Sequence, residues 1–197
     1  ITKNFLTISN LRLQLVQTVP VLIVALGMAM IIGTKGIDLS VGSVMAVAAA
    51  VVPLYIGYGT VPAVLIGLLM GVLAGLVAGF LVSVVGLQPI VATLAVMVGG
   101  RGLANVIGGS IKSINDPGLQ ELGRGQLLGI PYTVIVAVVV VLIVAVLMRR
   151  TTFGLYVESI GGNKRAAELA GVHIKRVLMT SLLYTSDAAD DMQSLDL

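Results

Sequence analysis

The sequence predicts an all-α fold, a polytopic membrane bundle with about five transmembrane helices present. Three observations carry this. The mean hydropathy is +1.08 and 57% of residues are hydrophobic. Only 11% are charged, less than half of the ~25% usual in a soluble domain. The chain also holds 24 Gly, no Trp and three Phe, a composition suited to helices whose backbones approach closely in lipid.

Five apolar segments stand out, at about 15–33, 41–58, 61–85, 89–107 and 130–148. Each is long enough to cross a ~30 Å hydrocarbon core at 1.5 Å per residue. The fifth, PYTVIVAVVVVLIVAVLM, is so rich in β-branched residues that in water it would read as a strand. In lipid a segment of that length must satisfy its own backbone, so it is expected to be helical. The breaks are GTKGIDLS (33–40), YGT (58–60), GLQP (86–89) and a polar loop, 108–129, with Lys112, Asp116, Glu121 and Arg124. Residues 1–13 are mixed and amphipathic and lack the order of a signal peptide.

Residues 149–176 hold six of the twelve Lys and Arg: Arg149, Arg150, Lys164, Arg165, Lys175 and Arg176, against Glu158 and Glu168. The positive-inside rule assigns that loop to the cytoplasm. Counting back puts 108–129 outside, GLQP inside, YGT outside and GTKGIDLS inside. The start of the chain then falls outside, so an earlier span is expected before residue 1.

Several chemistries are excluded. There is no Cys and a single His, His173, so no thiolate or His-based metal cluster is available. No GxxxxGK[ST], nucleophile elbow or HExxH occurs. Any ATP hydrolysis must belong to another subunit, and nucleic acid is not an expected partner.

Four local features raise functional questions. Ala63, Gly67, Gly71, Gly75 and Gly79 recur every four residues and form a small-residue seam, which either packs within the subunit or slides during transport. In the stretch Gly36, Asp38, Ser40, Gly42, either Asp38 or Ser40 can accept from the free N–H groups of the second helix; a gate or partner contact is the alternative. Arg101 lies twelve residues after Pro89, about 18 Å along the fourth helix. It either snorkels to the outer surface or lines a polar path with Gln88, Thr93 and Asn105. In the basic loop, Gly161 and Gly162 should break the chain. Asn163 should cap a short helix through Lys164, Arg165, Ala166, Ala167, Glu168, Leu169 and Ala170, and Gly171 should end it ahead of Val172. That helix is a surface element or a docking knob for a soluble partner.

GIDLSVGSVMA (36–46) resembles the signature of the permease subunits of ribose-, xylose- and galactose-type ABC sugar importers. QPIVATLAVMVGGRGLA (88–104), LLGIP (127–131) and TTFGLYVESIGGNKRAAELAGVHIKRV (151–177) follow in the family's order. The resemblance spans about residues 5–180, and LYVESIG with MVGGRG leans toward the galactofuranose-type branch. One departure is Lys35, where the family more often has Gly.

The resemblance implies the permease of a monosaccharide importer in the bacterial cytoplasmic (inner) membrane, with the path at the interface of two permease subunits, a homodimer. It implies an ABC ATPase subunit that holds the ATP and Mg, none of it bound by this chain, and an extracytoplasmic sugar-binding protein. Gly161–Val172 matches the coupling-helix region that rests on the ATPase. The family fold has about ten spans, with that loop after about the sixth. Alternating access would follow from closure of the ATPase dimer on two such helices. The rivals are a secondary transporter and a non-transport membrane scaffold. The first would use intramembrane acids, and none lies between Val41 and Met148 outside 108–129.

The end of the chain reads differently. After Leu183 come Asp187, Asp190, Asp191 and Asp196 and no Lys or Arg. Without residues 183–197 the formal charge rises from +3 to +7. LLYTSDAADD resembles a conceptual translation of a transposon-end adapter used in DNA library preparation. The expected organisation is therefore a permease fragment at 1–182 and a non-native, disordered tail at 183–197.

Overall fold

The computed structural model describes residues 7–109, 116–127 and 129–191, with side chains through Thr185. Lys112 and Asp196 lie outside the described residues.

Among the described residues, five helices are long and apolar enough to cross a membrane. They are α1 (Ile8–Gly33), α2 (Val41–Tyr55, extended by a 3-10 turn Ile56–Tyr58), α3 (Thr60–Ser83), α4 (Pro89–Gly108) and α6 (Tyr132–Arg150). Between α4 and α6 lie α5 (Pro117–Arg124) and a hairpin of β1 (Gln126–Leu127) and β2 (Ile130–Pro131). The hairpin is antiparallel, pairing Gln126 with Pro131 and Leu127 with Ile130. After α6 come α7 (Thr152–Gly162), α8 (Lys164–Leu169) and α9 (Ile174–Asp191). The chain is a multi-pass membrane protein.

Three boundaries differ from the sequence reading. Helix α1 begins at Ile8, not near Leu15, because the amphipathic stretch continues the helix, and Arg12 within it donates to the carbonyl of Gly129. Helix α6 begins at Tyr132, because Ile130 and Pro131 are held in the hairpin. The region expected to be disordered from residue 183 is helical to Asp191. Its first side chains are anchored: Thr185 is fully buried and its hydroxyl donates to Gly27 O at 3.1 Å and Ser181 O at 3.1 Å.

The small-residue seam of α3 is a packing surface. Ala63, Gly67, Gly71, Gly75 and Gly79 are all buried. Helix α9 lies against α3, and a Cβ at Gly79 would stand 3.0 Å from Met179 Cγ and 3.2 Å from its Cα. Helix α2 packs on α4 in the same manner: a Cβ at Gly100 would meet Ser43 Cβ and Oγ, each at 3.0 Å. Helix α6 is held mainly by α1, through Val19, Ile23 and Ala137.

The connections sort into two ends. At one, the start of α1, α5 and the hairpin meet. There Thr60 Oγ1 donates to Asp116 Oδ1 at 2.6 Å, and Leu119 fills a cluster with Val52 and Ala63. At the other, the end of α1, the 34–40 loop, the start of α4 and α7–α8 come together. This second end carries the six basic residues of 149–176 and is called the basic end below.

Candidate functional site

The basic end is built around α8. Asn163 adopts an extended backbone (φ −149°, ψ 102°), and its Oδ1 accepts from Ala166 N at 3.1 Å. This satisfies one of the free N–H groups at the helix start. At the other end Gly171 takes φ 85° and donates to Glu168 O at 3.0 Å, while Val172 N donates to Ala167 O at 3.0 Å. This is the paired closure that a left-handed glycine permits. A six-residue helix is too short to hold itself, so the caps and one buried side chain fix it. Ala167 is that side chain, packed with Val157, Ile160, Ile174 and Val177.

Everything else on α8 is presented outward. Lys164, Arg165, Ala166, Glu168 and Ala170 are exposed, and Leu169 is 84% exposed. A capped knob with an apolar tip among charges has the composition of a protein-docking surface, with an apolar anchor and a polar rim. His173 is exposed beside it.

The glycine pair is placed differently from the sequence reading. Gly161 and Gly162 do not break the chain; they are the last residues of α7, and the break falls at Asn163. The reason is a close approach. The Gly161 Cα faces the carbonyl oxygen of Gly33 where a Cβ would collide, and a Cβ at Gly33 would lie 2.7 Å from Val157 Cγ1. Lys35 Nζ adds a 3.5 Å bond to Gly162 O. The ends of α1 and α7 are thus locked backbone to backbone. Sequence reasoning missed this contact because two adjacent glycines signal a breaker and a contact equally well.

The 34–40 loop also departs from simple capping. Neither Asp38 nor Ser40 accepts from the free N–H groups of α2 through its side chain. Asp38 Oδ1 instead accepts from Ser40 N at 2.8 Å and Ser40 Oγ at 2.6 Å, closing an Asx turn one step earlier. Both residues are buried, and Asp38 Oδ2 has no partner among the described residues. Burial pushes the Asp38 carboxyl above its ordinary value of 3.8, against the lowering effect of the two Ser40 bonds. Gly36 is needed because a Cβ there would meet Ile31 Cγ2 at 2.9 Å, whereas Gly42 has open space. Lys35 is in the left-handed region at φ 61°, the only non-glycine there among the described residues. A glycine at this position would adopt that backbone without strain.

The four candidate path residues are not brought together. Thr93 is fully buried, and its hydroxyl bonds Pro89 O at 2.9 Å and Ile37 O at 3.4 Å, tying α4 to the 34–40 loop. Gln88 is the exposed residue preceding α4, at the basic end. Arg101 and Asn105 are exposed one turn apart on α4, in its other half.

Residues 10–189 match the family described as "Branched-chain amino acid transport system / permease component". The chain is 44% identical over 166 residues to the galactofuranose transporter permease protein YtfT of Escherichia coli (strain K12), covering 83% of this chain and 49% of that protein. It is 41% identical over 165 residues to the fructose import permease protein FruF of Bifidobacterium longum (strain NCC 2705), covering 80% and 46%. It is also 41% identical over 160 residues to the ribose import permease protein RbsC of Bacillus subtilis (strain 168), covering 79% and 50%. The chain thus spans about half the length of these relatives. No solved structure gives a significant match. The chain belongs to this permease family.

Proposed function

We propose that this chain forms part of the translocation path of an ATP-driven monosaccharide importer and receives the ATPase through α8. The observation that carries the coupling role is the capped α8 knob. It has one buried side chain and an 84% exposed Leu169, in a loop holding six basic residues. Leu169 would insert into a cleft of the partner ATPase, with Lys164 and Arg165 meeting acidic rim residues. ATP and Mg belong to that subunit. The basic end then faces the cytoplasm, and the end carrying α5 and the hairpin faces the extracytoplasmic sugar-binding protein. A second permease subunit completes the path, and the bacterial inner membrane is the setting.

Alternating access requires that nucleotide and sugar bind the two states with different affinity. The α1–α7 lock supports a route for that difference, because movement of α8 reaches α1 through Gly161 and Gly33, and α4 through Ile37 and Thr93. An ion-coupled transporter is disfavoured because the five spans hold no Asp or Glu.

The test is the double variant Lys164→Glu/Arg165→Glu, with Leu169→Asp as a second arm, in a reconstituted importer. Sugar-stimulated ATP hydrolysis and uptake should both collapse while the permease remains in the membrane at normal abundance. Normal coupling in both arms would refute the docking role.

A further inference from the structure

Of the twenty residues of α4, only Ala92 and Thr93 are buried. One side of the helix is nevertheless in use: Gly100 packs on Ser43, Thr93 bonds the 34–40 loop, and an apolar cavity of about 410 Å³ opens between α2, α3 and α4. The opposite side carries Val91, Leu94, Val98, Arg101 and Asn105, spaced alternately by three and four residues. That spacing makes a single stripe along a helix. Every member is exposed: Val91 53%, Leu94 45% and Val98 60%, with Arg101 and Asn105 beyond them. The apolar part lies toward the basic end and the polar part toward the other.

The polar part does not suit hydrocarbon. A guanidinium in the membrane faces protein or water, and the five spans offer no carboxylate to neutralise it. Gly108, the end of α4, is seven residues from Arg101, about 10 Å away. Asn105 shares the stripe and has no flexible stem with which to reach the interface. Both groups are matched by a hydrated surface. Arginine offers a fork of donors, and asparagine offers two donors and an acceptor. Vicinal hydroxyls, which accept and donate, satisfy that set. The stripe bears one cation and no second positive group that would favour an anion over a neutral sugar.

We propose that this stripe of α4 lines the translocation path: Arg101 and Asn105 bind the hydroxyls of a neutral monosaccharide, and Val91, Leu94 and Val98 form the constriction that closes beneath it. An apolar constriction of this kind gates by excluding water. The inference rests on the importer reading above and names where on α4 the substrate touches.

These 197 residues hold no cysteine, and any cysteine elsewhere in the importer is replaced by serine, so single cysteines report one position at a time. Asn105→Cys, Val98→Cys, Leu94→Cys and a control on the exposed side of α6, Leu142→Cys, are placed in the intact importer in membrane vesicles. Each is treated with a membrane-impermeant thiol reagent. Ribose, fructose and galactose serve as probes, and uptake is measured on vesicles holding the unsubstituted importer and on those holding Leu142→Cys, so failure of the importer reading shows as absent uptake there, separate from the labelling pattern. The expected result is rapid labelling at Asn105→Cys, slowed several-fold by the sugar that the unsubstituted importer accumulates. Leu94→Cys and Val98→Cys should label only when the ATPase is trapped with nucleotide and vanadate. Uptake by the unsubstituted importer, with Asn105→Cys no more reactive than Leu142→Cys, would overturn the proposal. So would equal labelling of Leu94→Cys and Asn105→Cys in the resting state.

Discussion

Gly161 meets the backbone carbonyl of Gly33 across the ends of α7 and α1, leaving no room for a methyl group at position 161. The contact joins elements far apart in sequence through backbone, which cannot repack as a side chain can. Gly161→Ala should therefore destabilise the protein by about 1–3 kcal/mol, the range for overpacking. Gly162→Ala is the control, since a Cβ there meets nothing within 4 Å. Thermal unfolding of the two purified variants should separate them, and equal melting temperatures would remove the lock.

Lys35 holds φ 61° at the end of α1. A non-glycine residue there costs about 1–2 kcal/mol relative to its ordinary backbone. Lys35→Gly should raise stability by up to about 1 kcal/mol, part of the gain being offset by the freer unfolded chain. The 3.5 Å bond from Lys35 Nζ to Gly162 O is lost, but it is exposed and long. A lower melting temperature in the variant would mean that this bond outweighs the backbone strain.

Two glycines with different surroundings give a paired test of the helix seams. Gly79→Val places branched carbon against Met179 Cα and should cost about 1–3 kcal/mol by forcing α3 and α9 apart. Gly42→Ala enters open space near the start of α2 and should be neutral or slightly stabilising. Resistance to denaturation in mild detergent, compared between the two, distinguishes them. Similar loss in both would show that the glycines act through something other than close packing.

Asp38 should impose a pH dependence. Its burial raises the folded-state pKa above 3.8, so the protonated form is the one the fold favours. The stabilising contribution is full below the unfolded value and is lost as pH rises through the folded one. Asp38→Asn keeps an acceptor for Ser40 N and Oγ and carries no charge. The variant should lack this slope and equal or exceed the wild type at neutral pH. Melting curves from pH 4 upward check it; parallel slopes in the two proteins would show that Asp38 does not titrate as its burial dictates.

The spans were legible because lipid imposes one solution on a long apolar segment. The caps of α8 were legible because Asn163 and Gly171 do their work within a few residues of chain. What escaped was set by contacts distant in sequence. The Thr60–Asp116 bond and the burial of Leu119 fold α5 inside a stretch that reads only as polar loop. Thr93 looks like a path residue by position, yet its buried hydroxyl bonds Pro89 O at 2.9 Å on its own helix and lies 3.4 Å from Ile37 O on another element. Arg101 and Asn105 were identified by their polarity in lipid, yet their shared stripe with Val98 and Leu94 required the exposed face to be known.

Helix α8 hangs between two differently fastened neighbours. Behind it, α7 is wedged onto α1; ahead of it, α9 begins at Ile174 and lies against α3, closely at Gly79. A force on Leu169 therefore has little slack to take up before it loads both α1 and α3. The α3 groove sets how stiff the second of these fastenings is. Under the docking role proposed for α8, widening it should leave the knob intact but blunt its stroke, so that nucleotide is hydrolysed with less sugar moved per turnover.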